Sequence, residues 1–95
     1  MNLAATREDD AYLSVYQVLD EVCFARGIPV GSQGSLFAAI DGLRKAAAPS
    51  EHIVLAEQIA VAIHKLVWAL RNGGDGEEAA REELQALGAS WLRIP

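Results

Sequence analysis

The chain has 95 residues, with 8 Lys or Arg against 13 Asp or Glu, for a formal charge of -5 at pH 7. That length makes a single domain, and 52% hydrophobic with 22% charged residues is the composition of a folded globule rather than a disordered chain. The acidic balance argues against a direct nucleic-acid surface, which needs a basic patch to meet phosphates, and one cysteine, Cys23, excludes an internal disulfide and a zinc-finger pattern.

The segment from Met1 to Asp10 has no basic stretch followed by an apolar run, so it does not read as a signal peptide. A first helix is expected over about 8–26, where Tyr12, Val15, Tyr16, Leu19, Val22 and Cys23 recur at helical spacing. Thr6 is placed to cap it, and Glu8, Asp9 and Asp10 suit the positive end of the helix dipole. Gly27 and Pro29 end it. The segment from Gly27 to Gly34 reads as a loop punctuated by Gly27, Gly31 and Gly34.

A second helix is expected over 36–47, capped by Ser32 or Ser35, with Leu36, Ile40, Leu43 and Ala47 on one face and Phe37 beside them. Gly42 weakens it by about 1 kcal/mol relative to Ala but leaves room for a neighbouring helix. Pro49 closes this helix and Ser50 caps a third, over 51–72, which Gly73 and Gly74 end. At about 1.5 Å per residue the third helix is roughly 33 Å long, long enough to act as the spine of so small a chain. Asp75 with Glu78 resembles a capping box for a fourth helix over 76–87, striped by Ala80, Leu84 and Leu87 and stopped by Gly88. Residues 89–95 form an apolar tail without helical period, either a strap over the core or a docking peptide. No strand pattern of period two occurs. The expected fold is all-α, a small up-down bundle of about four helices with the long third helix at its centre.

The third helix is more apolar than one buried face requires. Its core side is expected to carry Leu55, Ile59, Ala62, Ile63, Leu66 and Leu70. Its polar arc holds Glu57, Gln58, His64, Lys65, Arg71 and Asn72, yet Val54, Val61 and Trp68 stack along that same arc at intervals of seven. Helix four or the Trp91 tail covers this ridge, or a symmetry mate meets it in a homodimer, or it awaits a different protein. Apolar residues ringed by polar ones match the general anatomy of an interface. Val54, Val61, Trp68, Glu57, Lys65, Arg71, Trp91 and Leu92 are therefore the expected contact residues.

Other chemistry is weakly supported. The glycine-rich loop lacks the preceding strand of a dinucleotide fingerprint and the Gly-Lys-Ser/Thr ending of a P-loop. Its loop-to-helix start is only vaguely like a helix-turn-helix segment. His52 and His64 lie far from zinc-ligand spacing, and no metal or cofactor is expected. Cys23 sits on an apolar stripe without an activating base, as a structural thiol does. The acidic pairs, such as Glu82 with Glu83, diverge by about 100° around a helix and make no carboxylate dyad.

The leading expectation is a small acidic, non-enzymatic, cytoplasmic regulator that binds and inhibits another protein, itself a homodimer, with no direct contact to nucleic acid or membrane. Antiactivators, antitoxins, immunity proteins, anti-CRISPR proteins and secretion chaperones have this size and acidity, a class-level analogy that selects none of them. The alternatives are a helical enzyme or ligand-binding domain using His52, His64, Glu57, Tyr12 and Tyr16 at a dimer interface, and an acidic nucleic-acid mimic using Asp75, Glu77, Glu78, Glu82 and Glu83.

Overall fold

The computed structural model describes the backbone of residues 3–24, 32–73 and 75–94, and side chains over 10–22, 34–73 and 75–94. The side chain of Cys23, the loop residues Gly27, Pro29 and Gly31 and the cap expected from Ser32 lie outside these. The described residues form four α-helices and no strands: α1 (Leu3–Leu19), α2 (Ser32–Lys45), α3 (Ser50–Asn72) and α4 (Gly76–Leu92). The end of α1 widens into π geometry over Asp20–Phe24. Each helix packs on the next, α3 packs most extensively on α4, and α4 returns to α1. Short turns between α2 and α3 and between α3 and α4 make those neighbours antiparallel, as in a bundle.

The core is built from one stripe per helix. Val15, Leu19 and Val22 meet Leu36, Ile40 and Leu43 across α1 and α2, and Ile59, Ile63 and Leu66 of α3 close on Leu84 and Trp91 of α4. Several stripes are turned slightly from the expected line. In α1 Val18 is buried and Tyr16 is exposed; in α3 Ala69 is buried and Leu70 is exposed. Phe37, expected beside the core, points outward. Alanines fill the tight places, and Gly42 lies against α1: a methyl there would sit 3.3 Å from Ala11 Cβ.

The helix ends differ from the sequence expectation in instructive ways. α1 begins earlier than residue 8, with Thr6 inside it. α3 starts behind Pro49, whose carbonyl accepts from His52 and Ile53, and Ser50 makes no side-chain cap. Asp75 makes no capping-box hydrogen bond either and contributes only its charge. At the end of α2, Ala48 N–H donates to Leu43 O and Ala47 N–H to Arg44 O, a Schellman closure that puts Ala47 in the left-handed region at φ 54°. Gly73 closes α3 at φ 61°, as its position predicted.

The largest correction concerns the C-terminus. Gly88 does not stop α4, and residues 89–92 are helical rather than an irregular tail. Gly88 is buried, with its missing side chain directed at Leu19, where an added Cβ would stand 3.4 Å from Cδ2. An added Cβ would make only an ordinary contact there, so neither a turn nor a close helix approach demands glycine, and the apolar period runs on from Leu84 through Gly88 to Trp91.

The interruption of Ile53–Ala56 and Ile59–Ile63 by Glu57-Gln58 and His64-Lys65 reads in the sequence as excluding a membrane span, yet α3 is long and apolar enough to cross a membrane by length and composition. Its most apolar side packs on the other helices, and its outward side carries Glu57, Lys65 and Arg71, charges that are costly against lipid.

Candidate functional site

Neither α4 nor the described residues after it, Arg93 and Ile94, cover the ridge. Val54 is 51% exposed, Val61 54% and Trp68 61%, in a row along the outer face of α3. Their spacing explains the row, since seven residues complete almost two turns and return each side chain to nearly the same line. Asn72 Nδ2 donates to the Trp68 carbonyl at 2.8 Å, one turn further along.

Grooves flank the ridge on both sides. Between α2 and α3, Phe37, Ile40, Arg44, Glu57, Ala60, Val61 and His64 line an open trough of about 380 Å³. Phe37 is 61% exposed at its edge. The spacing of Leu36, Ile40 and Leu43 carries the clue to this residue, because Phe37 falls about 100° off that buried line. Between α3 and α4, Trp68 shares a shallower hollow of about 420 Å³ with Lys65, Asp75, Ala79 and Glu83.

Ion pairs stitch the borders. Arg44 Nη2 meets Glu57 Oε2 at 3.0 Å, and Lys65 Nζ meets Glu83 Oε2 at 3.5 Å. All four side chains are about half exposed, so each pair contributes little to stability and remains able to exchange partners. Arg71 is exposed in the last turn of α3.

Two expected contact residues lie elsewhere. Trp91 is core: it is 4% exposed and lies 5.5 Å from the Tyr12 ring. Leu92 is exposed at the end of α4 but lines neither groove beside the ridge.

The residues considered for catalysis are split into separate places. Tyr12 Oη and His52 Nδ1 share a hydrogen bond of 2.7 Å, with their rings edge to face and Trp91 packed alongside Tyr12. His64 and Glu57 border the α2–α3 trough instead, and Tyr16 stands exposed on α1. Among the described residues no three His, Cys, Asp or Glu side chains come together to hold a metal. In the acidic set of α4, Glu83 is held by Lys65 and Glu77 by Arg81 at 3.3 Å.

The outer face of α3 thus concentrates apolar exposure, flanking concavity and a rim of both signs of charge, which suits the docking of another protein surface more than the positioning of a small substrate. Comparison with protein-family models, with curated proteins and with solved structures finds no match for this chain.

Proposed function

We propose that this chain is a small interaction protein that binds another protein chain through the outer face of α3 and modulates that partner by occupying its surface. The observation that carries the reading is the alignment of Val54, Val61 and Trp68, each more than half exposed and two turns from the next, with polar residues between them and Phe37 exposed on the neighbouring helix. Single exposed apolar residues are ordinary on a protein surface, whereas several large ones gathered on one face and rimmed by polar groups favour an interaction site. Burial of the row supplies affinity, with Trp68 the natural hot spot. The rim formed by Glu57, Lys65 and Arg71 sets partner choice and association rate.

A photo-reactive residue at Val61, compared with one at the exposed Gln85 of α4, tests this in cells that express the chain. The expected result is a protein adduct from position 61 that is lost when Trp68→Arg is added. Absence of any protein adduct from positions 54, 61 and 68 would remove the basis of the proposal.

A further inference from the structure

The last turn of α3 ends on a chemically reactive pair. Asn72 is the final residue of the helix, and Gly73 follows it in the left-handed region at φ 61°. Both are exposed. Asn72 Nδ2 donates to Trp68 O at 2.8 Å, and Gly73 N–H donates to Ala69 O at 2.9 Å. In an asparagine–glycine pair the following main-chain nitrogen can close a five-membered ring on the side-chain amide, and glycine has no Cβ to hinder it. We infer that Asn72 is a modification site, where spontaneous deamidation through a ring with Gly73 is gated by opening of the last turn of α3. The site stands whether or not the outer face of α3 contacts a partner.

The step balances with water alone. Hydroxide removes the Gly73 amide proton, and the nitrogen attacks Asn72 Cγ. The N–Cγ bond forms, the Cγ–Nδ2 bond breaks, and Nδ2 takes up a proton from water and leaves as ammonia, which restores the hydroxide. One further water opens the ring. Attack at Cγ gives aspartate at position 72, and attack at the main-chain carbonyl carbon gives isoaspartate, whose chain runs on through Cγ. Nothing is oxidised or reduced. This is the chemistry that makes asparagine a thermolabile residue.

Two hydrogen bonds hold the folded helix end back from this reaction. The Gly73 proton that must leave is engaged with Ala69 O. The Asn72 amide is drawn to a carbonyl one turn back, whereas its attacker is the residue that follows. Access is open: beyond its chain neighbours, a Cβ added at Gly73 would meet no described atom within 4 Å, so water and hydroxide reach the pair. Helix ends fray at little cost, and fraying frees both groups together. The product then favours the frayed end. A carboxylate at position 72 cannot donate to Trp68 O, and it places negative charge at the negative end of the helix dipole. The other asparagine, Asn2, precedes Leu3, a branched residue that crowds the attacking nitrogen. Asp41 before Gly42 lies inside α2 and pairs with Lys45 at 3.0 Å, and Asp75 before Gly76 has no ammonia to release.

Incubation of the full chain in mildly alkaline buffer, followed by peptide mapping with mass spectrometry and an isoaspartate assay, tests this against the same chain unfolded in urea. The expected result is conversion of amide to acid at position 72, as both aspartate and isoaspartate, with the folded chain slower than the unfolded one by about tenfold or more. Arg71→Gly weakens the last turn without touching the pair, and is expected to narrow that ratio about threefold. Asn72→Asp supplies the aspartate product directly, and is expected to speed hydrogen exchange of the Gly73 amide about twofold or more. No reaction at Asn72 in the folded chain while the unfolded chain converts overturns the site. Equal rates in the two states, or a ratio unmoved by Arg71→Gly, overturn the gate. Aspartate without isoaspartate overturns attack by Gly73. Unchanged exchange of Gly73 in Asn72→Asp overturns the opening of the helix end by the product.

Discussion

The two tryptophans give the sharpest test of this architecture, because one sequence type occupies two opposite environments. Trp91 is 4% exposed and packs on Tyr12, while Trp68 is 61% exposed on the ridge. Truncating Trp91 to Ala removes roughly 150 Å² of buried apolar surface, about 4 kcal/mol at 25 cal/mol per Å². That falls inside the range of about 3–5 kcal/mol found for removal of large aromatics from cores. Trp68→Ala removes little buried surface within the protomer, and its cost is expected to stay within about 0.5 kcal/mol. A domain of this size is stable by only about 5–15 kcal/mol, so the first change removes a large share and the second is barely visible. Urea unfolding followed by circular dichroism measures the difference from the shift in midpoint at constant slope. A loss below about 1.5 kcal/mol for Trp91→Ala, or above about 2 kcal/mol for Trp68→Ala, would refute the assignment of the two rings to core and surface.

Backbone and packing supply further expectations. Ala47 sits in the left-handed region, which costs a residue with a Cβ about 1–2 kcal/mol, so Ala47→Gly is expected to stabilise by about 1 kcal/mol after the flexibility of the unfolded chain is counted. Destabilisation in a thermal melt would contradict the helix end described for α2. Gly88→Ala and Gly42→Ala should differ in sign. At position 88 the new methyl meets the flexible end of Leu19 at 3.4 Å, and the gain in helix propensity of up to about 1 kcal/mol survives. At position 42 it meets Ala11 Cβ at 3.3 Å, a methyl fixed to its backbone, so the helices must separate and the gain is lost. Equal melting shifts for the two variants would mean that α1 does not approach α2 as described.

The bundle was legible because its signals are local. The recurrence of Leu36, Ile40 and Leu43, the position of Gly73 and the absence of any alternating pattern each report on a few neighbouring residues. The seven-residue spacing of Val54, Val61 and Trp68 was legible for the same reason, as was their place among Glu57, Lys65 and Arg71. The meaning of Gly88 was not. Glycine suggests a helix stop, and only the packing of this position against Leu19 shows that the helix runs through it. With the stop misplaced, Trp91 read as part of a tail, although it lies on the same stripe as Leu84. Caps failed similarly at Ser50 and Asp75, where suitable residues stand at the right places but their side chains make no cap.

What the chain determined by itself is the helical period, the punctuation by Gly73 and Pro49, and the alignment of Val54, Val61 and Trp68 within the polar arc of α3. These follow from the fixed angle between successive side chains on a helix, which is independent of what the helix packs against. Tertiary structure alone decided that Trp91 is core, that Phe37 turns outward, and that none of the described residues covers Trp68. Burial is a property of pairs of surfaces: an apolar stripe states that a partner is wanted, and only the packing of the other three helices leaves one face of α3 without one.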